Sequence, residues 1–291
     1  MRKSTQVWTV MSMIEWTTDY FREKKIPDPR LSIEWILAEI LGIRRLDLYL
    51  QFDRPLSSDE LNLIRPMVKR RSTFEPLQYI TGSTAFRTVT IKVTPDVLIP
   101  RSETEMLVDL ILGDPAGNDQ DSIHFLDLGT GSGCIPVSIK KERPQWNCYG
   151  IDISDKALSV AKENSEVNQA SVHFFNADMM NPESSIELSE GKWDIISSNP
   201  PYITADEVPE LNPQVTKYEP GIALFHSDPL TLYHSIIKFS SKKGASLYLE
   251  CNNKTASKVA EMASGFYRNV ILSKDLDNND RYVSAINPLT V

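Results

Sequence analysis

A glycine-rich turn is the first feature of the sequence that could bind a ligand. An apolar run at 125–128 leads directly into it, and an apolar helical segment begins at Cys134. Glycines allow a tight turn, a close approach of a ligand to the backbone and close packing of the next helix, whose first N–H groups can bind polar ligand atoms. We expect a cofactor loop here, with a purely structural turn as the alternative. The expected loop residues are Gly129, Thr130, Gly131, Ser132 and Gly133.

An acidic residue follows the turn at the distance that nucleotide-binding folds use. Asp152 lies about twenty residues after Gly133, at the end of the next apolar run. A carboxylate in this place can accept hydrogen bonds from both ribose hydroxyls of an adenosine group. The alternative is that Asp152 caps the following helix, although Ser154 is the better candidate for that cap. Together, the turn and the acid predict adenosine recognition.

The glycine spacing narrows the class of cofactor. It is not the dinucleotide-binding pattern, and the sequence has no Gly-Lys-Ser/Thr phosphate loop. Leu-Asp-Leu followed by Gly-x-Gly-x-Gly instead resembles the first motif of class I S-adenosylmethionine methyltransferases. The resemblance implies S-adenosyl-L-methionine as cofactor and S-adenosyl-L-homocysteine as product. It also implies that Asp127 lies near the methionine ammonium group, with bracing of the glycine loop as a compatible alternative, and that Asp178 and Met179 contact the cofactor.

A second candidate site follows the apolar run 193–198. An amide or aromatic amino nitrogen is a poor nucleophile because its lone pair is delocalised. The side-chain oxygen of Asn199 and the backbone carbonyl of Pro200 can accept its two hydrogens, aim it at the sulfonium methyl group and favour a pyramidal nitrogen in the transition state. Tyr202 can offer the substrate a flat face. The alternative is that the proline pair merely ends a strand. The expected catalytic residues are Asn199, Pro200 and Tyr202; the substrate site adds Pro201, and Asn199 also contacts the cofactor.

Longer segments resemble the HemK-type family of glutamine N5-methyltransferases that modify peptide-chain release factors. The matching segments are 75–82, 97–105, 218–220 with 223–224, and 275–281. The resemblance implies that the substrate is the glutamine of the Gly-Gly-Gln motif in bacterial-type release factors, gripped in part by an N-terminal helical domain. Within 101–105, the residues either lie near the cofactor pocket or simply begin a helix.

Two positions depart from the family pattern. Met179 stands where the family often has an aromatic residue, so it could pack against the adenine through dispersion and sulfur contacts instead. Asn252 stands where the family usually has glycine, which leaves the conformation of that loop open. Neither departure touches the centre of methyl transfer.

The elements that must position these residues form an α/β domain. From Ile123 onward, short apolar runs alternate with helical segments, which predicts parallel strands joined by crossover helices in a doubly wound sheet. With the motif resemblance, this is the Rossmann-like fold of a class I S-adenosylmethionine methyltransferase, assigned to residues 101–291.

Two further regions precede that domain. Helical spacing over 1–76 predicts a small helical bundle for substrate recognition, with one helix from Pro29 to Gly42 and a kink or an end at Pro66. Period-two alternation at 88–93 predicts a β-hairpin, and we assign 77–100 to a hairpin linker.

Composition excludes several classes of protein. The chain has 291 residues, 41% of them hydrophobic and 24% charged, which is typical of a globular protein of two domains. A net charge of −8 disfavours general phosphate binding, so we expect no direct nucleic-acid substrate. The N-terminal apolar stretch is too polar for a signal peptide or membrane span. We expect a cytoplasmic monomer. Three widely spaced cysteines and four histidines show no disulfide or metal-ligand pattern, so no metal is expected.

Three other functions remain open from the sequence. A paralogous glutamine methyltransferase that acts on a large-subunit ribosomal protein would share every motif above. A DNA or RNA amino-methyltransferase would use the same Asn-Pro-Pro-aromatic clamp on adenine but predicts a basic groove, which the sequence does not show. A non-catalytic binding protein with this fold is disfavoured because Asp127, Asp152 and Asn199 are all present.

Overall fold

Two units are formed by the residues that the computed structural model describes, which are 7–115 and 122–289. The smaller unit contains the chain up to Gly82 together with Asn212–Tyr218. The larger unit runs from Ser83 to Leu211 and resumes at Glu219. The chain therefore returns to the smaller unit late in the sequence.

The smaller unit is helical, as predicted. One of its helices begins at Pro29, directly after Asp28, and ends before Gly42, whose φ of 62° is the left-handed conformation common after helix ends. These are the bounds that the sequence predicted. Buried side chains such as Ile14, Phe21 and Ile33 form the core. The helices are α1 (Val10–Glu23), α2 (Pro29–Leu41), α3 (Ser58–Arg71) and α4 (Leu77–Thr81), with a 3-10 helix at Arg45–Leu50 and a short helix at Pro213–Tyr218.

One prediction for this unit is wrong as to where a helix ends. Pro66 lies inside α3, and the helix continues to Arg71. Proline removes one backbone hydrogen bond, but α3 has a capping box between Ser57 and Glu60 and buries Ile64 on one face. Burial and capping outweigh the cost of the proline.

The larger unit contains all the strands of the described residues. The strands are β1 (Ser83–Phe86), β2 (Val89–Lys92), β3 (His124–Leu128), β4 (Asn147–Asp152), β5 (Val172–Asn176), β6 (Ile195–Ser198), β7 (Ser246–Glu250), β8 (Tyr267–Lys274) and β9 (Asp280–Pro288). The helices are α5 (Ser102–Leu112), α6 (Cys134–Glu142), α7 (Asp155–Val167), α8 (Ile186–Glu190), α9 (Gly221–Leu224), α10 (Pro229–Lys242) and α11 (Ala256–Ser264), with 3-10 turns at Pro182–Ser184 and Val208–Glu210.

Seven strands form one sheet in the order β5-β4-β3-β6-β7-β9-β8. The first five are mutually parallel, while β9 pairs antiparallel with both β7 and β8. The alternation from Ile123 onward is confirmed as strands and crossover helices of a doubly wound sheet. Because the chain leaves β3 in one direction and returns to β6 on its other side, the strand order reverses between these two strands. Ligands bind at such reversals, beyond the carboxyl ends of the strands.

The predicted hairpin is present. β1 and β2 pair antiparallel with Phe86 opposite Val89, and Arg87 turns the chain between them at a φ of 50°. The residues of α4 fall within the sequence-assigned linker and belong to the smaller unit, so the structure divides the chain after Gly82. A role of the helical unit in substrate recognition stays a prediction.

Within 7–115 and 122–289, no helix is both long enough and apolar enough to cross a membrane.

Candidate functional site

A cavity of about 330 Å³ lies where the strand order of the large sheet reverses. The turns after β3, β4, β5 and β6 all contribute to its wall. It therefore gathers residues that are far apart in the sequence. Of the sequence-predicted site residues, those that line the cavity are Gly129, Thr130, Gly131, Ser132, Asp152, Asp178, Met179, Asn199 and Pro201.

The glycine-rich turn forms one wall of this cavity and is held by backbone hydrogen bonds. The N–H of Thr130 donates to the carbonyl of Ile151 at 2.7 Å, and that of Gly133 donates to the carbonyl of Thr130 at 2.8 Å. Gly131 has a φ of 54°, and a Cβ built on it would meet nothing within 4 Å. The backbone at Gly131 is therefore open to a ligand, as the sequence predicted for a cofactor loop.

Asp152 ends β4 and links the glycine-rich turn to the next helix. Its Oδ2 accepts the N–H of Gly131 at 2.9 Å, and its Oδ1 accepts the N–H of Ser154 at 2.9 Å. Ser154 accepts the N–H of Ala157, so the residue that caps α7 is Ser154 and not Asp152. Burial raises the pKa of Asp152, and the backbone donors offset part of that rise. The carboxylate is positioned at the cavity wall, with further lone pairs available to hydroxyl groups.

Asp127 lies in β3, 1% exposed, and is not part of the cavity wall. The hydroxyl of Ser197 donates to its Oδ1 at 2.7 Å. Its Oδ2 forms no hydrogen bond of ordinary geometry with the described residues. Burial raises the pKa of this carboxyl to about 7, while the hydroxyls of Ser197 and Thr130 act in the opposite direction. A buried acid with an unsatisfied oxygen fits a cationic ligand group, because a cation would stabilise its ionised form.

Met179 covers the start of the glycine-rich turn. A Cβ built on Gly129 would lie 2.4 Å from Met179 Cε, so only glycine leaves room for this side chain. Asp178 accepts the N–H of Met180 at 2.8 Å and thereby shapes the turn after β5. The apolar thioether and the exposed side chain of Ile153 both line the cavity, as a flat heteroaromatic ring would require.

Asn199 brings the second sequence motif into the same cavity. It follows β6, and its Nδ2 donates to Thr104 Oγ1 at 3.3 Å. Among the described residues, Asn199 Oδ1 accepts no hydrogen bond. Pro201 lines the cavity, whereas Pro200 is buried and is not among the lining residues. Tyr202 packs against the hydrophobic core of the sheet and does not line the cavity, and burial raises its pKa.

The segment before α5 contributes residues that the sequence left between two interpretations. Both interpretations hold: Arg101 and Thr104 line the cavity, while Glu103 and Glu105 lie in the first turn of α5. Arg101 also donates to the buried carboxylate of Glu219 at 2.5 Å. This ion pair joins the segment before α5 to the segment 218–220.

Sequence reasoning missed a large part of the cavity wall. The segment 222–226 closes one side, because Ile203 and Phe225 form a parallel bridge that brings it to the strand-end motif. A further part comes from 96–98, after the hairpin. No chemical pattern marks these mostly apolar residues, so only the fold identifies them.

The loop after β7 contains Asn252 in a hydrogen-bonded conformation. The side chain of Asn252 donates to Glu207 at 3.0 Å, and its backbone carbonyl accepts the N–H groups that begin α11. Asn252 is absent from the residues with positive φ, so this loop does not need glycine.

The sequence predicts no metal site, and a metal ion would need a group of His, Cys, Asp or Glu side chains as ligands. Within the described ranges, no such group of three or more could hold a metal ion. Cys134, at the start of α6, is buried, and burial raises the pKa of its thiol to about 12. It therefore packs as a small hydrophobic side chain.

Two protein-family models match the chain. One, described as the PrmC N-terminal domain, matches residues 12–82. The other, described as the methyltransferase small domain, matches residues 104–213. The first match covers the helices of the smaller unit that lie before Ser83, and the second covers the glycine-rich turn, Asp152 and Asn199.

Similar curated proteins span nearly the whole chain. The release factor glutamine methyltransferase of Geobacter sulfurreducens is 38% identical over 238 residues, which cover 81% of this chain and 81% of the relative. The release factor glutamine methyltransferase of Chlorobaculum tepidum is 34% identical, covering 97% of this chain and 98% of the relative. That of Rhodopirellula baltica is 36% identical, covering 95% and 96%.

A solved structure resembles the fold. The hMettl16 catalytic domain, in complex with MAT2A 3'UTR hairpin 6, superposes with a TM-score of 0.53 at 15% identity and covers 80% of this chain and 84% of that one. At this identity the likeness concerns the fold alone. The fold class predicted from the sequence, a class I methyltransferase domain with a small N-terminal helical domain, is confirmed.

Proposed function

The chain belongs to the family of release factor glutamine methyltransferases, and from this premise we propose that it methylates the side-chain amide nitrogen of the Gly-Gly-Gln glutamine in peptide-chain release factors. One observation of the site carries the proposal. Asn199, whose Oδ1 is free of protein hydrogen bonds among the described residues, shares one cavity with the glycine-rich turn and Asp152. A hydrogen-bond acceptor for the substrate amide thus lies beside the cofactor loop.

S-adenosyl-L-methionine is the cofactor of this enzyme class. When bound, it supplies a methyl group on a positively charged sulfur. In our proposal Asp152 would hold the ribose hydroxyls, and Asp127 would balance the methionine ammonium. The open backbone at Gly131 and the unsatisfied oxygen of Asp127 both support this placement. Contacts of Met179 and Asp178 with the adenosine part complete the proposed cofactor site.

The proposed acceptor site uses the strand-end motif. Asn199 Oδ1 and the carbonyl of Pro200 accept the two hydrogens of the glutamine NH₂, which aims the nitrogen lone pair at the methyl group. Bound S-adenosyl-L-methionine would supply the methyl group and retain the electron pair of its broken C–S bond, so the glutamine nitrogen would gain a C–N bond and a positive charge. Acceptors on the amide hydrogens stabilise that charge. The nitrogen then loses one proton to water, so no dedicated base is needed.

Tyr202 and Pro201 belong to the proposed substrate site for different reasons. Pro201 lines the cavity. Tyr202 packs against the hydrophobic core and does not line the cavity. It can offer its aromatic face only to a substrate peptide that extends beyond the cavity. Substitution of Tyr202 is therefore expected to affect the substrate more than the cofactor.

Several expectations about the cellular context belong to the same proposal. We propose that the protein acts as a monomer in the cytoplasm, on a protein and not directly on nucleic acid. The net charge of −8 supports a protein acceptor, and three buried free cysteines support a reducing compartment.

The test is methyl transfer from isotope-labelled S-adenosyl-L-methionine to purified acceptors. The acceptors are a release factor, its glutamine-to-alanine variant, a ribosomal protein of the large subunit, and DNA and RNA. The enzymes are wild type, Asn199→Ala and the control Asn269→Ala, an exposed asparagine on edge strand β8. Label should enter only the intact release factor, with Asn199→Ala slower by about 100-fold or more and the control unchanged. Label on the ribosomal protein or nucleic acid alone would overturn the substrate assignment.

A further inference from the structure

A buried hydrogen-bond chain leads from Asn199 through Thr104, which also lines the cavity, to Glu250, which does not. Asn199 Nδ2 donates to Thr104 Oγ1 at 3.3 Å, and Thr104 Oγ1 donates to Glu250 Oε2 at 2.8 Å. Thr104 is 3% exposed and Glu250 is 1% exposed. The three residues come from α5, the end of β6 and the end of β7, so the fold alone brings them together.

The direction of these hydrogen bonds follows from the chemistry of the terminal group. An ionised carboxylate can only accept hydrogen bonds, so the Thr104 hydroxyl donates its single hydrogen to Glu250. The Thr104 oxygen then has only lone pairs to offer Asn199. Asn199 must meet it with Nδ2, which leaves Oδ1 as the atom that faces the cavity.

The opposite orientation of the amide would disable the site. If Nδ2 faced the cavity, it would present hydrogens to the hydrogens of the acceptor amide. The site would lose one of its two acceptors, and the Pro200 carbonyl alone would support the charge that develops on the nitrogen. An asparagine in an open pocket can adopt either orientation, because its oxygen and NH₂ group are nearly equal in size.

We propose that Thr104 and Glu250 are positioning residues that fix the Asn199 amide with Oδ1 toward the acceptor nitrogen. This inference rests on the proposed function, because it assigns Oδ1 to the substrate amide. Neither residue contacts the reacting atoms in this proposal. Both act through the orientation of Asn199.

The charge state of Glu250 sets the condition for a test. Burial raises its pKa to about 7, while the Thr104 hydroxyl and the positive charges of Arg281 and Arg101 act against this rise, and Glu103 adds to it. Measurements at about pH 8 therefore keep most of Glu250 ionised. At that pH, the ionised Glu250 can only accept a hydrogen bond, so Thr104 donates to Glu250 and Asn199 donates to Thr104.

Three variants change the hydrogen bonds that link Asn199, Thr104 and Glu250. Thr104→Val keeps the shape of the side chain but removes the hydroxyl, and Thr104→Ser restores a hydroxyl. Glu250→Gln gives Thr104 a neutral partner that can also donate, so the direction is no longer fixed. The control is Thr17→Val on α1, another buried threonine, whose hydroxyl donates to Met13 Sδ at 3.4 Å.

Single-turnover rates with release factor at saturating cofactor give the first readout. Thr104→Val should lower the rate by about 10- to 100-fold and Glu250→Gln by about 10-fold. Cofactor affinity should stay within about threefold of wild type, and Thr104→Ser should recover most of the rate. A merely structural contact would lower cofactor affinity and thermal stability along with the rate. Wild-type rates in Thr104→Val, or in Glu250→Gln if Thr104→Val does not fold, would overturn the proposal.

A second readout needs no methyl transfer. In the complex with S-adenosyl-L-homocysteine, the side-chain NH₂ signals of Asn199 are identified by their loss in Asn199→Asp. We expect one Nδ2 hydrogen to exchange slowly in wild type and Thr104→Ser, and rapidly in Thr104→Val. Unchanged exchange in Thr104→Val would overturn the inference. If wild type methylates no release factor but exchange behaves as expected, the proposed function fails while the positioning role stands.

Discussion

At the scale of single residues, the site combines side chains whose chemistry the sequence marks with side chains that it does not mark. Asp152 and Asn199 stand beside glycine or proline motifs, so their type and spacing predict a ligand. Thr104 and Glu250 are separated by 146 positions and lie in no motif that predicts contact. A buried polar pair of this kind is found only when the packing of α5 against β7 is known. Sequence reasoning therefore identifies the groups that contact ligands more readily than the groups that orient them.

The first prediction concerns the stability of Asp127→Asn. Without ligand, the pKa of the Asp127 carboxyl is about 7, compared with 3.8 for an unperturbed aspartate. Ionisation is thus unfavourable in the folded state, and the free energy of unfolding of wild type falls as pH rises from about 4 to about 7. The asparagine variant lacks this loss. Above pH 7 it should unfold with a free energy higher than wild type by ~1 to 4 kcal/mol, the upper figure being the full pKa difference.

The same variant should bind the cofactor more weakly. An amide carries no charge to balance the methionine ammonium, so we expect S-adenosyl-L-methionine affinity to fall by about 10- to 100-fold. Urea unfolding at about pH 5 and about pH 8 and titration calorimetry measure the two effects. The control is Asp277→Asn in the exposed C-terminal hairpin turn. Unchanged cofactor affinity would remove Asp127 from the proposed ammonium site.

At the scale of elements, hydrophobic periodicity predicts those segments whose burial is regular. The start of α6 at Cys134 and the course of α7 follow from apolar spacing, and β3 and β6 follow from short runs that each combine apolar residues with two polar ones. No apolar periodicity marks β8, because it is an edge strand with four of its eight side chains exposed and one, Tyr267, buried. The short helix Pro213–Tyr218 was also missed, since it belongs to the helical unit although the rest of that unit lies before Ser83 in the sequence.

A matched pair of glycine substitutions tests the cofactor turn. Gly131 and Gly133 both have positive φ, so alanine strains either position by ~1 kcal/mol. At Gly133 the new Cβ would also lie 3.0 Å from Ala161 Cβ and 3.1 Å from Phe174 Cζ, whereas at Gly131 it meets no protein atom. Gly133→Ala should therefore cost stability by ~2 to 3 kcal/mol, and Gly131→Ala by about 1 kcal/mol.

Cofactor binding should rank these two variants in the opposite way. The Gly131→Ala methyl group occupies cavity space beside Asp152, so cofactor affinity should fall by about 10-fold or more. Gly133→Ala, which faces α7 and β5, should affect affinity less than it affects stability. Denaturant unfolding and equilibrium binding measure both rankings. Equal losses of affinity in both variants would contradict the assignment of Gly131 to close ligand approach.

At the scale of the whole molecule, the chain forms two units, and the helical one includes a late segment of the sequence. Arg71 is 4% exposed and ties that segment to α3. Its guanidinium donates to Gln214 Oε1 at 2.6 Å, to the carbonyl of Pro27 at 3.1 Å and to the carbonyl of Glu75 at 2.9 Å. Composition and length predicted two domains, but no local pattern could reveal a contact across 143 positions.

Replacement of Arg71 should destabilise the helical unit. Arg71→Met keeps an apolar stem but leaves buried carbonyl groups without a donor, so we expect the free energy of unfolding to fall by ~2 kcal/mol. Arg65→Met, on the exposed face of the same helix, is the control and should change it by less than about 0.5 kcal/mol. Thermal unfolding followed by circular dichroism distinguishes them. Equal melting temperatures for both variants would show that the Arg71 contacts contribute little.

The central claim for the whole molecule is that one glutamine amide of a release factor receives the methyl group at Asn199. The most direct measurement is peptide mass spectrometry of release factor incubated with S-adenosyl-L-methionine and either wild type or Asn199→Ala. The account predicts one added methyl group on the Gly-Gly-Gln glutamine with wild type, and almost none with Asn199→Ala. Methylation at another residue, or the same yield from Asn199→Ala, would contradict it.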